Sequence, residues 1–313
     1  MDVLSDALAA MRTGRPHAGR TERSGAWGTR FPDADGAGFH VVLQGSCWLL
    51  PHDGEPVPLG PGDVVLLPHG RRHGLADSPG TPLTDFAAPP SGPFPSDPPD
   101  EGRPPHPRTV LLCGAYRLDT VRAHPLLRDL PEVVHMPARL GPHPRLHTAV
   151  QLLGAELERP RPGAGALLTS LLDVLLLYVL RAWYEEESGS GHAGWAAALH
   201  DPAVSAALRA LHRDPAHPWT VESLGRVAGL SRAAFARRFT ALVGQPPLGY
   251  LTWWRMTLAA RLLRDTGLPL RAVADRSGYA SEFAFAKAFK REYGAAPGAY
   301  RAAGTDPAGR GAA

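Results

Sequence analysis

The chain writes one basic, aromatic-studded stretch twice. Residues 231–250, SRAAFARRFTALVGQPPLGY, and residues 281–300, SEFAFAKAFKREYGAAPGAY, share Ser at the start, then Phe at +4 and +8, Gly at +13 and Tyr at +19. Successive helical residues turn by ~100°, so phenylalanines four apart share one face. Ser ahead of the run is a helix N-cap, and Gly behind it is a stop signal. Each copy follows a shorter helical segment that ends in glycine. VESLGRVAGL leads into the first copy, with Thr220 as N-cap of a helix over Val221–Ala228, and RAVADRSGYA leads into the second. Val273 matches Leu224, Ala274 matches Gly225, Gly278 matches Gly229 and Tyr279 matches Leu230, with one extra residue, Ala280, in the second turn. Two helices packed through a glycine-containing turn form a helix-turn-helix, and the spacing predicts two of them.

Helical geometry separates scaffold from free surface. If Phe235 and Phe239 face inward, Ala233, Arg237 and Thr240 point away; if Phe285 and Phe289 face inward, Phe283, Lys287 and Lys290 point away. Between the copies, Leu248–Arg264 reads as one long helix, with Leu251, Trp254, Leu258, Leu262 and Thr266 along a stripe. At ~1.5 Å per residue it spans roughly 25 Å, which with the flanking helices approaches the ~34 Å of one DNA turn. One copy of the chain then reaches two successive major grooves. Charge agrees: residues 201–303 hold 15 Lys+Arg against 7 Asp+Glu, and the rest of the chain holds 18 against 23, within a net charge of +3. A basic segment beside an acidic one implies that only the former meets a polyanion. A helical array for protein binding is the competing reading, but two copies are few for an array and the charge segregation is left unexplained.

The first half reads differently. FHVVLQG and CWLLP are β-prone runs joined through a turn signal at His52–Glu55, and LGPGDVVLLPHG places a glycine-rich turn before an apolar strand at Val64–Leu67. Such spacing suggests a sandwich or small barrel. From Pro79 to Pro107 there are 11 prolines in 29 residues, which excludes helix and central strand and predicts a long, mobile excursion. Strand signals resume at Thr109–Leu118. Two helices follow, Leu146–Arg159 and Ala166–Glu187, the second apolar around most of its circumference and so expected to bury more than one face, against the β unit or a second subunit. EEESGSGHAG, residues 185–194, reads as a flexible linker. MDVLSDALAAM lacks the basic start of a signal peptide, and Leu167–Leu180 is interrupted by Asp173 and too short to span a bilayer. The expectation is a soluble cytoplasmic protein. Cys47 and Cys113 are too few for a disulfide framework.

Residues 201–302 resemble the DNA-binding domain of AraC/XylS-type bacterial transcriptional regulators. The resemblance rests on Ser231, Phe235, Phe239, Gly244 and Tyr250, on Gly278, Tyr279, Ser281, Phe285, Phe289, Gly294, Pro297 and Tyr300, and on RMTLAARLLRD. It implies base-reading positions at Ala233, Ala236 and Arg237, then at Glu282, Phe283, Ala286 and Lys287. Arg232, Thr240 and Lys290 complete the expected DNA-binding set. Two alanines leave the first helix few hydrogen-bonding groups, so Arg237 carries most of its reading. Phe283 either meets a thymine methyl or packs inward, and Gly225, where the family usually has alanine, loosens the first unit. The N-terminal part resembles the cupin-like sensor domain of one branch of these regulators through LGPGDVVLLPHGRRH, LLCGAYRLD and HPLLRDLPEVVHM.

The expected architecture is α+β in two domains. Residues 1–187 form a cupin-like β-barrel with helices, 188–200 a linker, 201–303 an all-α double helix-turn-helix domain, and 304–313 a disordered tail. The resemblance implies operator DNA, RNA polymerase, a second copy of the chain and a small-molecule, oxidant or metal effector as partners, with no cofactor and no membrane. His40, His69 and His73 are the candidate metal ligands, but cupin enzymes use a His-x-His pair with a following Glu, and HVVLQG has one histidine. A 2-His-1-carboxylate site therefore lacks an evident third ligand, with Asp63 and Glu55 as the open choices. Cys113 is the redox candidate, because some regulators of this branch sense reactive chlorine through cysteine; a buried inert thiol is the alternative. No catalytic triad, phosphate loop or zinc signature is present, so the chain is not expected to be an enzyme. The rival reading is a metal-dependent cupin enzyme carrying a vestigial helix-turn-helix module.

Overall fold

In a computed structural model, which describes residues 2–87, 96, 108–118, 123–138, 143–159, 161–189 and 194–305, the chain divides into two compact units. One comprises residues 12–189; the other joins residues 1–11 to residues 190–313. The first helix, α1 (Val3–Met11), thus groups with the C-terminal helices, whereas the sequence places it in the sensor domain. The reason is its apolar face: Val3, Leu4, Ala7, Leu8 and Met11 are buried, and its Asp6 carboxylate lies 3.4 Å from the Nδ1 atom of His212.

The 12–189 unit holds β1 (His17–Ser24), β2 (Gly28–Phe31), β3 (Ala37–Gln44), β4 (Cys47–Pro51), β5 (Val57–Leu59), β6 (Val64–Leu67), β7 (His73–Ala76), β8 (Thr84–Asp85) and β9 (Arg108–Tyr116), then α2 (Pro125–Arg128), β10 (Val134–Met136), α3 (Pro144–Glu158) and α4 (Ala164–Gly189). Two five-stranded sheets form, in the orders β1-β9-β3-β6-β10 and β5-β4-β7-β2-β8. Pairing is antiparallel except between β2 and the two-residue edge strand β8. Val42, Val65, Leu67, Leu111 and Cys113 of one sheet share a core with Cys47, Leu49, Leu59 and Leu75 of the other and with Trp27, just ahead of β2. The turn before β6 is held by Asp63, which accepts from the Gly60 amide at 2.9 Å and the Ala138 amide at 2.8 Å. Its neighbour Gly62 takes a φ of +88°, which only glycine adopts without strain. The proline-rich segment contributes β8 at a sheet edge, where a missing ladder bond costs least; residues 88–95 and 97–107, on which the expected excursion falls, lie outside the described residues.

Helix α4 runs 26 residues, longer than the interrupted apolar core suggested. By length and composition it could cross a membrane, with 28% of its most apolar window buried. Its buried side packs within the unit through Leu172, Leu175, Leu176, Val179 and Leu180, and Tyr116 donates to the Leu172 carbonyl at 2.7 Å. Asp173, which breaks the apolar run, is paired with Arg12. The helix continues through Glu185–Gly189, so the expected linker is helical at its start.

The other unit continues with α5 (Trp195–His200), α6 (Pro202–Arg213), α7 (Val221–Val227), α8 (Arg232–Val243), α9 (Pro247–Asp265), α10 (Leu270–Arg276), α11 (Glu282–Tyr293) and α12 (Pro297–Thr305). Helix α5 occupies residues assigned to the linker, because Trp195 is an anchor, 1% exposed, with its ring 5.7 Å from that of Tyr250; the rest of the linker, 190–193, lies outside the described residues. Helix α12 reaches Thr305, and the expected disordered tail beyond it, 306–313, also lies outside them. The α7–α8 and α10–α11 pairs are the two helix-turn-helix units. Both use one set of bonds. The Leu230 amide donates to the Gly225 carbonyl and the Tyr279 amide to the Ala274 carbonyl, each at 2.9 Å, around glycines with φ of +66° and +73°. Ser231 and Ser281 cap α8 and α11, and Gly244 and Gly294 close them in the left-handed conformation. A Cβ at Gly225 would meet the Leu230 carbonyl at 3.0 Å, so glycine relieves a tight contact that Ala274 accommodates in the second unit.

The stripe predicted for α9 is correct only in its first half. Tyr250, Leu251 and Trp254 are buried, but beyond them the buried residues are Met256, Thr257, Ala259, Ala260 and Leu263, while Leu258 and Leu262 are half-buried. The helix serves two cores in succession, so its buried face rotates midway. If Trp195 is core rather than linker, Trp195→Ala destabilises the helical unit by about 3–5 kcal/mol; urea unfolding followed by circular dichroism measures this, and a linker tryptophan would leave the midpoint unmoved.

Candidate nucleic-acid interface

Phe235 and Phe239 on α8, and Phe285 and Phe289 on α11, are fully buried. This fixes which way the opposite faces look. On α8, Arg232, Ala233, Arg237 and Thr240 are exposed and Ala236 is half-buried; on α11, Glu282, Phe283, Lys287 and Lys290 are exposed and Ala286 is half-buried. Phe283 is 81% exposed, so of the two readings open for it, inward packing does not apply. A phenyl ring held in water beside two lysines is an unpaired apolar contact surface.

The charges divide by use. Arg238 turns back to Asp201, its Nε donating to the carboxylate at 2.7 Å, and Asp201 also caps α6 by accepting from the Val204 amide at 2.8 Å. Burial opposes the Asp201 charge, but the Val204 amide and the Arg238 guanidinium outweigh it and hold the carboxyl below its ordinary value. Arg232, Arg237, Lys287 and Lys290 have no ion-pair partner among the described residues. Cations left unpaired on a helix face are available to phosphate and base edges. The sequence reading takes Arg237 and not Arg238 for the DNA-binding face, but the Arg238 partner, 37 residues away, is not legible from periodicity.

In the sheet unit the candidate histidines part company. His40 on β3 and His73 on β7 meet with their Nε2 atoms 2.7 Å apart, both buried, with Phe31 stacked on His73 at 5.0 Å. The Nδ1 atom of His73 is 2.8 Å from the Arg71 carbonyl, which can only accept, so that nitrogen carries the proton. The Nε2 atom of His73 is then an acceptor and His40 donates to it. Burial, reinforced by His73, holds His40 well below its ordinary pKa; burial also lowers His73, partly offset by the Arg71 carbonyl. His69 lies apart, bonded to the Leu130 carbonyl at 2.9 Å. Among the described residues no group of three or more His, Cys, Asp and Glu is placed to hold a metal ion. Asp63 is occupied by its turn, and Glu55 is exposed between β4 and β5. The pair therefore does not fit a 2-His-1-carboxylate centre.

Cys113 and Cys47 are free and buried. Burial, then the charge of Asp63, pushes the Cys47 thiol up to about 12. Burial and the neighbouring Cys47 raise Cys113 further, and Arg23 draws it back only in part. Beside Cys113, between Arg23, Trp27 and Phe86, is a cavity of about 10 Å³, room for one water. The nucleophile is the thiolate, so this geometry describes an inert thiol.

Two exposed basic helix faces on duplicated helix-turn-helix scaffolds, joined in one chain to a double-sheet unit, define a DNA-binding regulator. Comparison with known proteins agrees. The family described as Cupin matches residues 2–185 and that described as Helix-turn-helix domain matches residues 224–303. A putative AraC-like transcription regulator of Streptomyces lividans is 38% identical over 98% of this chain and 100% of its own. One of Streptomyces antibioticus is 36% identical over 96% and 98%. The solved DNA-binding domain of AdpA, in complex with a target DNA, is 38% identical over 33% of this chain and 92% of its own, with a TM-score of 0.31. The chain belongs to the AraC-like transcription regulators, and its function is DNA-binding regulation of transcription.

With Cys113 held as a thiol, iodoacetamide should label it in the native full-length chain more than about a hundredfold slower than free cysteine, and at the normal rate in denaturant. Mass spectrometry of the labelled peptides reads both.

Proposed function

We propose that the chain is a one-component, cytoplasmic regulator whose α8 and α11 enter successive major grooves of one operator duplex, and that it acts without enzymatic turnover. The observation that carries this is the pairing of two like-placed, exposed faces whose cations lack partners, Arg237 on one and Lys287 on the other. Arg232, Ala233, Ala236, Arg237 and Thr240 read one half-site, and Glu282, Phe283, Ala286, Lys287 and Lys290 the other. Their differences mean that the two half-sites differ in sequence. Phe283 suits a thymine methyl and Arg237 a guanine. RNA polymerase is the further partner.

The sheet unit receives the effector. Of the three effector classes, a small organic molecule fits best: the histidine pair lacks a third ligand, and Cys113 lacks the depressed pKa of an oxidation sensor. A second copy of the chain covers the open side of α4. Leu167 is 52% and Val174 38% exposed there, seven residues apart and so on one face, and Leu152 of the adjoining α3 is 53% exposed. Burying such a stripe between two copies contributes roughly 25 cal/mol per Å².

Duplexes selected from a random library by the wild-type chain provide the operator. Arg237→Ala and Lys287→Ala should each raise its Kd about tenfold or more by fluorescence anisotropy, and the wild type should show a steep salt dependence; unchanged binding by both variants sinks the residue assignment. Light scattering after gel filtration should give a dimer for the wild type and a monomer for Leu167→Glu combined with Val174→Glu.

A further inference from the structure

Helix α9 changes its buried face between Trp254 and Met256, and the residue at the change is Arg255. Residues before it complete the first helix-turn-helix core, and Met256, Ala259, Ala260 and Leu263 belong to the second, with Val273, Phe285 and Phe289. The Arg255 side chain joins neither core. Its Nε donates to the Pro215 carbonyl at 2.7 Å and its Nη2 to the His217 carbonyl at 2.9 Å. Both carbonyls lie in the loop that leads into α7. That loop is closed on itself, with the Trp219 indole donating to the Asp214 carbonyl at 2.8 Å and the His217 amide to the Asp214 side chain at 3.0 Å. It ends at Thr220, which caps α7.

The other side of the guanidinium lies against the turn of the second unit. A Cβ at Gly278 would sit 2.8 Å from the Cζ and Nη2 atoms of Arg255 and 3.0 Å from the Cα of Ala216. Gly278 is therefore required twice, for its φ of +73° and for this approach. Burial lowers the Arg255 pKa from its ordinary value, and Tyr279 and Asp214 are the neighbours that offset this in part. One guanidinium thus touches the loop before the first helix-turn-helix and the turn inside the second.

Apolar packing against α9 is non-directional and tolerates some rotation. Two N–H···O bonds from a rigid planar fork do not. Turning one unit about α9 relative to the other must break a carbonyl bond or lift the Gly278 turn from the guanidinium. We propose that Arg255 is a positioning residue that fixes the rotational phase between the two recognition helices, and so sets the spacing of half-sites that the protein accepts. This rests on the reading that both helices engage one duplex.

The test uses the full-length chain and duplexes that the wild type selects from a random library, with footprinting to delimit the two half-sites. One base pair added between them turns the second groove by about 35°. The wild type should lose about tenfold in affinity for each base pair added or removed. Arg255→Met and Arg255→Lys should hold all spacings within about threefold of one another, while binding to a random duplex of equal length stays at the wild-type level. Arg255→Lys keeps the charge and serves should Arg255→Met not fold. A wild-type spacing preference in Arg255→Lys, or an equal loss on every duplex, overturns the inference alone. If deleting one half-site leaves wild-type binding intact, the two-groove reading fails and this inference fails with it.

Discussion

A helix that must satisfy two cores in succession is the constraint on which the helical unit depends. Nineteen residues of α9 give Tyr250, Leu251 and Trp254 to one helix-turn-helix and Met256, Ala259, Ala260 and Leu263 to the other. The first half carries the bulky residues because it also receives α5 and α6. Tyr250 is 2.6 Å from the Nε2 atom of His212, whose ring lies 4.0 Å above Trp254. The second half carries alanines, which let Phe285 and Phe289 come close. The two reading units are thus halves of one packed body rather than beads on a string.

That arrangement explains why duplication could keep the scaffold and vary the surface. Phe, Gly and Ser at their repeated positions answer to local rules, burial of one face and capping of each end, and these are the same in both units. The outward residues answer to whatever lies outside. Two arginines fit neither rule: Arg238 is exposed yet pairs with Asp201, and Arg255 falls on the apolar stripe of α9 yet donates to the Pro215 and His217 carbonyls. Outward geometry alone therefore does not make an arginine a reader.

The sequence disclosed what is periodic or local and concealed what is long-range. Both helix-turn-helix units, their caps and their free faces follow from residues 221–300, and β3, β4 and β6 from their apolar runs. HAGRTERS, which forms β1, gave no such signal, because all but one of its residues are only partly buried or exposed. The grouping of α1 with the C-terminal helices, the anchoring of α5 by Trp195 and the rotation of the buried face along α9 depend on contacts that no window of sequence contains. At the sheet site, three histidines were legible as candidates, but only folding could pair His40 with His73 and set His69 aside.

The grouping of residues 1–11 with residues 190–313 means that the sheet unit is, topologically, an insertion between the first helix of the DNA-binding unit and its remainder. The sheet unit is stitched in at both ends, leaving after Met11 and returning after Gly189. The inserted unit has two covalent joins to the helical unit, one at α1, whose Asp6 lies against His212, and the other ahead of α5, whose Trp195 lies against Tyr250. Both joins reach the core of the first helix-turn-helix, and α1 reaches the second as well, its Ala10 carbonyl accepting at 3.2 Å from Arg264, which also donates to Tyr300. Cutting the chain ahead of α5 would remove α1 as well as the sheet unit, leaving His212 without Asp6.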